Sequence, residues 1–255
     1  MPVHSVHDRD ELAELLGRDP ARYAYQLGDL DDFFWPYTTW YRRDDALALV
    51  YHGGGLPTLL AFDPAGPGSV GPLLRELLPL LPRRLYAHLS PGADRVLAEG
   101  YRLESGGPHL KMALTDPAAL HAAEPLGDVL GPADLPELSK LYAEAYPGNW
   151  FDRRMLETGQ YVGVRRDGRL LAVAGVHVWS PAYRVSALGN VTTHPDVRGQ
   201  GLARGAVAAL CRLLRETVDH VTLNVHADNA AALALYGRLG FTTIAEYAEF
   251  ACVAR

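Results

Sequence analysis

Predicted secondary structure comes in the same order twice along the chain, which leaves few architectures open. Each half runs as a helix, three strands, a helix, a strand, a helix and a strand. The first half has predicted helices at 9–17, 21–32, 72–81 and 92–99, strands at 38–42, 46–52, 57–62 and 84–89, and one or two strands at 101–114. The second half has predicted helices at 134–146, 152–157, 202–215 and 230–239, and strands at 160–165, 169–179, 183–193, 221–225 and 247–253.

This repetition predicts an α/β (α+β) fold with a mixed central sheet flanked by helices in each half. A duplicated unit explains the shared order, although any α/β chain shows some alternation of this kind. The best linker is the stretch 115–125, which contains Asp116-Pro117 and Glu124-Pro125. We therefore predict two domains, at 1–120 and 121–255, within the size range of ordinary domains.

Charge and cysteine content exclude several classes of function. The chain has 24 Lys+Arg against 30 Asp+Glu, a formal net charge of −6, which argues against nucleic-acid binding. Its two cysteines, Cys211 and Cys252, cannot form a disulfide framework, and the histidines lack metal-ligand spacing. With a polar start over residues 1–10 and no long apolar run, a cytoplasmic protein without metal or membrane partner is expected.

The segment 191–204 carries the clearest chemical signal. A strand ends near Pro195, a glycine-rich turn follows, and a helix begins near Leu202. Glycines allow tight turning, and the free N–H groups at the start of a helix suit a pyrophosphate. A dinucleotide is disfavoured because the third glycine is Gly205, one residue later than the Rossmann fingerprint requires, and no nucleotide P-loop is present.

The six residues 198–203, Arg-Gly-Gln-Gly-Leu-Ala, resemble the Arg/Gln-x-x-Gly-x-Gly/Ala loop of the GNAT superfamily of acyl-CoA N-acyltransferases. A second block, 223–241, resembles the strand, helix-starting Asn, Tyr and Gly-Phe of the same superfamily. The two blocks come in the right order, and the resemblance covers about residues 125–255.

The resemblance implies acetyl-CoA, or a related acyl-CoA, as co-substrate, and it implies specific residues. In the family, backbone groups at the end of the strand bind the pantetheine arm and the acyl carbonyl. The amides of the loop bind the pyrophosphate, and two asparagines make further contacts with the cofactor. The implied cofactor-binding residues are Val191, Thr192, Thr193, Arg198, Gly199, Gln200, Gly201, Leu202, Ala203, Arg204, Asn224 and Asn229. Tyr236 matches the tyrosine that can protonate the departing thiolate, with a core aromatic as the alternative.

The general base is left open by the sequence. The candidates are His177, His194, His226 and Glu246, and a water chain is a common alternative. His177 lies in an apolar strand and His194 precedes a proline, so a structural role competes with catalysis at both.

The first half lacks the corresponding motifs. Its loop at 63–69 has no matching pattern and its prolines remove N–H donors, while 97–100 offers no tyrosine or asparagine. We therefore expect a degenerate GNAT-like copy at 1–120 beside a catalytic domain at 121–255. Whether the first half contributes to the acceptor site stays open.

The expected function is transfer of an acetyl or short acyl group to a primary amine of a small molecule, by direct attack in a ternary complex. The alternatives are an acyl-CoA-binding regulatory or interaction module without turnover, and a peptide or protein N-acetyltransferase. A monomer or homodimer is expected.

Overall fold

A computed structural model describes residues 2–63 and 68–255 of the protein. Its strands are β1 (His4–Val6), β2 (Thr38–Arg43), β3 (Ala46–Tyr51), β4 (Thr58–Ala61), β5 (Arg84–Leu89), β6 (Tyr101–Leu114), β7 (Asp128–Val129), β8 (Val162–Arg166), β9 (Arg169–Ser180), β10 (Val185–Thr193), β11 (His220–His226) and β12 (Phe241–Ala254). Its α-helices are α1 (Arg9–Leu16), α2 (Ala24–Gly28), α3 (Gly71–Leu77), α4 (Asp94–Leu97), α5 (Leu135–Ala145), α6 (Leu202–Leu214) and α7 (Ala230–Arg238). The predicted loop at 63–69 falls largely on residues 64–67, which lie outside the described residues.

Contacts within the chain define two compact units. Unit 1 consists of Met1–Lys111, Val225–Asp228 and Ile244–Arg255, and unit 2 consists of Met112–Asn224 and Asn229–Thr243. Most of the C-terminal strand β12 therefore belongs to unit 1. The division at 1–120 and 121–255 stays a prediction.

Unit 1 is built on a mixed sheet with the strand order β1-β2-β3-β4-β5-β12-β6. The neighbouring strands β1 and β2, β2 and β3, and β3 and β4 pair in antiparallel fashion. Strands β4 and β5 are parallel, and β12 lies antiparallel to β5. Helix α3 covers one face, where Leu73, Leu74 and Leu77 are fully buried. Their spacing places them on one side of the helix, so burial of this apolar stripe anchors α3 on the sheet.

Unit 2 is built on the strand order β11-β10-β9-β8-β7. Strands β7 to β10 are antiparallel, and β10 and β11 are parallel. Helices α5 and α6 pack against β9 and β10. One face of α6 is fully buried and includes Ala206, Leu210 and Cys211. The buried position of Cys211 is typical of a free cysteine, which packs like a small apolar side chain.

The mixed α/β class is confirmed, and the predicted elements follow one another in the expected order, with two short strands, β1 and β7, that were not predicted. Several boundaries differ from the prediction, and two of them differ most. The predicted helix at 21–32 shortens to α2, because Gly28 ends the regular turns and Asp29 caps them. The last strand begins at Phe241 rather than 247, directly after the left-handed turn at Gly240 (φ 89°). The predicted helix at 152–157 is a single 3₁₀ segment, Arg153–Thr158.

Within the described residues, no helix combines the length and the apolar character needed to span a membrane.

Candidate functional site

Strands β10 and β11 separate part-way along their length in unit 2. Their paired residues run from Val185 and His220 to Leu188 and Leu223, whereas β10 continues to Thr193. The register of β10 against β9 shifts between Gly189 and Thr192, and Asn190 adopts a positive φ of 55°. A bulge of this kind bends a strand, so β10 turns away from β11 and leaves its last residues without a β11 partner in the described register.

Two buried tyrosines hold this bulge. Tyr142 donates a hydrogen bond to the Asn190 carbonyl (3.1 Å), and the Asn190 side-chain amide donates to the Tyr161 hydroxyl (3.2 Å). Tyr161 in turn donates to the Val176 carbonyl on β9 (3.1 Å). Burial raises the pKa of both phenols, so both stay protonated donors at neutral pH.

The glycine-rich loop joins β10 to α6. After a 3₁₀ turn at Pro195–Val197, Gly199 and Gly201 adopt φ values of 78° and 79°. Nothing lies within 4 Å of a Cβ built at either position, so the left-handed backbone requires glycine while the space above it is open. Helix α6 begins at Leu202 with no side chain capping its N-terminus.

The amide groups of this loop point to an anion site. Among residues 2–63 and 68–255, no acceptor is found for the backbone N–H groups of residues 199–204. Six successive free N–H groups lie at the positive end of a helix of 13 residues. The arrangement offers several hydrogen-bond donors to one anionic group.

The loop arginines bind backbone carbonyls. Arg198 donates to the Thr193 and Ala145 carbonyls (3.3 and 3.4 Å), and Arg204 donates to the Ala122 carbonyl (2.8 Å). Gln200 accepts a hydrogen bond from Arg166 (2.5 Å). Neutral acceptors leave the guanidinium charge uncompensated, so Arg198 and Arg204 fix the loop and also keep it positive.

Helix α7 carries the predicted proton donor. The Asn229 side chain accepts a hydrogen bond from the Ala232 amide (3.1 Å) and so caps the helix N-terminus. Tyr236 lies on the same helix, 8% exposed, with its ring centroid 5.8 Å from that of Phe241. Burial raises its pKa, which keeps the phenol protonated. On β11, the Asn224 side-chain oxygen is buried and has no hydrogen-bond partner among the described residues.

Comparison with known proteins agrees with this geometry. The model of the acetyltransferase (GNAT) family matches residues 131–241, a range that includes the bulge, the loop and α7. The N-alpha-acetyltransferase RimI of Mycobacterium tuberculosis is 33% identical over 128 residues, which are 44% of this chain and 75% of that protein. The chain belongs to the GNAT family. The resemblance predicted from the two sequence blocks is thereby confirmed.

Two further relatives are mycothiol acetyltransferases. Those of Saccharomonospora viridis and Tsukamurella paurometabola are 31% and 34% identical over 119 and 113 residues. The chain spans only 38% and 39% of the length of these proteins, and the aligned part is 44% and 43% of this chain. The similarity therefore concerns about one GNAT-sized region in each case.

Solved structures extend the likeness in fold beyond this region. A GNAT-family protein from Novosphingobium aromaticivorans has a TM-score of 0.60 and 25% identity, over 82% of this chain and 88% of that chain. A GCN5-related N-acetyltransferase from Kribbella flavida has a TM-score of 0.63 and 20% identity, over 91% of this chain and 95% of that chain. Both structures match a larger part of this chain than residues 131–241. The similarity in fold therefore includes much of the first half of this chain.

Two of the candidate bases of this GNAT chain lie in unit 2 and have packing roles. A Cβ at Gly189 would lie 2.2 Å from the His177 ring, so the imidazole covers the backbone of β10 beside the bulge. His194 is 7% exposed; its Nδ1 accepts a hydrogen bond from the Asp196 amide (3.3 Å). Its Nε2 lies 2.7 Å from Arg169 and 3.3 Å from the Glu144 carboxylate. His194 therefore positions the start of the loop.

The other two candidate bases, His226 and Glu246, belong to unit 1. His226 accepts a hydrogen bond from the Asp228 amide at Nδ1 (3.1 Å), and Glu246 is exposed on β12. The structure does not bring the four candidates together, and the general base stays a prediction.

Two residues of the site have structural roles that the sequence did not predict. Asn190 sets the bulge, and its only local signal is the Gly189-Asn190 pair inside a strand pattern. Gly205 lies against Leu126, where a Cβ would come within 2.5 Å of that side chain, and its carbonyl accepts a hydrogen bond from the Leu126 amide (3.1 Å). The third glycine of the loop thus allows close packing of α6 on the preceding segment.

Proposed function

We propose that unit 2 binds acetyl-CoA, or a related short acyl-CoA, and that the chain transfers the acyl group to a primary amine. The observation that carries this proposal is the run of six unpaired N–H groups at residues 199–204, at the start of α6. The pyrophosphate is assigned to these amides, with the charge of Arg198 and Arg204 beside them. Gly199 and Gly201 leave open space beside these amides.

The strand end is assigned to the thioester arm. Val191, Thr192 and Thr193 follow the bulge, where β10 no longer pairs with β11, while Thr192 and Thr193 stay paired with β9 on the other side. Asn224, with its buried and unpartnered side-chain oxygen, is a further polar contact of the arm. The side chain of Asn229 caps α7, which supports a role in positioning Tyr236 rather than in holding the ligand directly.

The reaction we propose is a direct transfer. The amine nitrogen attacks the thioester carbonyl, the N–C bond forms, and the C–S bond breaks. The amine loses one proton to a base or to water, and the leaving thiolate takes one proton from the Tyr236 hydroxyl. The Tyr236 hydroxyl is protonated and can therefore supply this proton, although burial raises its pKa and makes it a weaker acid.

The first half is proposed to be a degenerate copy, with 1–120 and 121–255 as the two domains. Its parallel strands β4 and β5 stay paired to their last residues, Ala61 and Leu89, so no gap opens between them. The Asp63 carboxylate accepts hydrogen bonds from the Gly68 and Val70 amides (3.0 and 2.8 Å) and from the Ser69 hydroxyl (3.0 Å). An internal carboxylate thus occupies the donors that in unit 2 are free.

The acceptor is proposed to be a small molecule. Several relatives are named mycothiol acetyltransferase, which favours a small acceptor, whereas the name N-alpha-acetyltransferase favours a peptide α-amino group. The rival from another class is an acyl-CoA-binding module without turnover.

A thiol-release assay separates these three functions. Acetyl-CoA is supplied with a panel of small primary amines or with peptides that have free N-termini. We expect free CoA to appear with a small amine and not with peptides. Release with peptides alone would instead support the peptide acetyltransferase, and tight CoA binding without release across both panels would support the binding module.

A further inference from the structure

A compact polar cluster lies in unit 1, outside the acyl-CoA site. It consists of Tyr86 and His88 on β5, His109 on β6, and Tyr247 and Glu249 on β12, and we call it the glutamate cluster. These strands are neighbours in the order β5-β12-β6. Because successive side chains of a strand alternate between faces, residues two apart project from the same face, which brings the five side chains together.

The Glu249 carboxylate is the centre of this cluster. One oxygen accepts a hydrogen bond from Tyr86 (2.6 Å) and the other from Tyr247 (2.7 Å). The Nε2 atoms of His88 and His109 stand 3.7 and 3.6 Å from these oxygens, beyond hydrogen-bond length. Each carboxylate oxygen therefore keeps an acceptor position that neither imidazole fills.

The cluster is enclosed but not sealed. The side chain of Glu249 is 14% exposed, and those of His88 and His109 are 16% and 14% exposed. Three rings pack together beside the carboxylate: the Tyr247 ring centroid lies 5.4 Å from that of His88 and 5.4 Å from that of His109. Solvent contacts part of the Glu249, His88 and His109 side chains, so a ligand that approaches them would also meet these rings.

Glu249 is the acidic group of the cluster. Burial lowers the pKa of His88, and the nearby Glu249 carboxylate opposes this shift. Burial raises the pKa of Glu249, but His88 and the hydrogen bond from Tyr86 outweigh it, and the net pKa lies below its ordinary value. A buried carboxylate without a permanent cationic partner is costly, so a site of this kind favours a cation.

The nearest lysine does not supply that charge. Lys111 follows His109 by two residues on β6, and its ammonium lies 4.7 Å from the Tyr25 ring centroid and 5.5 Å from that of Phe62. Burial lowers the pKa of Lys111 to about 7. Among the described residues, Lys111 forms no ion pair with Glu249, and no group of side chains there is suited to hold a metal ion.

We propose that the glutamate cluster binds the ammonium group of a small organic cation. The carboxylate provides the charge, and the surrounding rings provide cation–π contacts that a hydrated metal ion would not use as well. This site goes beyond the acyl-CoA site of unit 2 and does not depend on it.

The test is an NMR titration of the full chain with methylammonium chloride, followed on the ring signals of His88 and His109. Sodium chloride at equal ionic strength and methanol, a neutral molecule of similar size, serve as the reference titrations. We expect saturable shifts with methylammonium only. No saturable shift, or equal shifts with methanol, would overturn the proposal, and this comparison needs no variant.

Two variants sharpen the result. Glu249→Gln is expected to weaken methylammonium binding at least about tenfold, because a neutral amide replaces the charged acceptor. Glu104→Gln, the same change at an exposed position of β6, is the matched control and should leave binding unchanged. Equal binding by Glu249→Gln and the wild type would contradict the assignment. A Gly201→Asp chain should still bind methylammonium, so failure of this site and failure of the acyl-CoA site are distinguishable.

Discussion

Gly201→Asp is expected to weaken CoA binding by about a hundredfold or more, the loss of two or three charge-assisted hydrogen bonds. The new carboxylate would lie beside the free amides of residues 199–204, where it repels the pyrophosphate and competes for the same donors. Asp63 shows this competition in unit 1, since it already accepts hydrogen bonds from two amides before α3. Isothermal titration with CoA measures the effect.

The matched control for this variant is Gly168→Asp. Gly168 also has a positive φ, 74°, and open space around a built Cβ, but it lies in the turn between β8 and β9. Both variants carry the same backbone strain and the same added charge, so their melting temperatures should fall alike. If both bind CoA as the wild type does, the loop is not the pyrophosphate site.

Tyr236→Phe is expected to lower kcat by about a hundredfold, the usual contribution of a positioned proton donor. CoA affinity should stay unchanged, because the variant keeps the ring and its contact with Phe241 at 5.8 Å. Single-turnover thiol release and CoA titration on the same preparation separate the two quantities.

Tyr101→Phe controls for the loss of a buried hydroxyl. Tyr101 is 2% exposed and donates to the Leu81 and Pro82 carbonyls, so this variant should lose stability but keep its kcat. An unchanged kcat in Tyr236→Phe would remove Tyr236 as the proton donor and leave solvent in that role.

Local sequence patterns predicted the loop of the site well. Positive φ at Gly199 and Gly201 and the helix start at Leu202 depend on neighbouring residues, so a short motif contains them. The cap of α7 by Asn229 is equally local. These features follow from backbone rules that act over a few residues.

Features that depend on distant residues were not predictable in this way. The bulge at Asn190 is held by Tyr142 and Tyr161, which lie 48 and 29 residues away in the sequence. The hydrogen bond from Tyr86 to Glu249 joins positions 163 residues apart. No local periodicity reports such pairs, because only the folded sheet brings the strands together.

The candidate base on β12 shows how strand alternation decides a residue's environment. Glu246, the candidate base predicted near the last strands, is exposed. Glu249 lies three residues further along the same strand, and an odd separation places it on the opposite face, among Tyr86, His88 and His109. The carboxylates of Glu246 and Glu249, three residues apart, therefore differ in burial, and only that of Glu249 lies beside histidines.

The central claim concerns the loop between β10 and α6, and a crystal structure with acetyl-CoA bound tests it most directly. We predict that the pyrophosphate oxygens lie within hydrogen-bond distance of the amides of residues 199–204, with the thioester arm beside Val191–Thr193. A structure in which acetyl-CoA binds elsewhere, while these amides contact only solvent, would contradict the account.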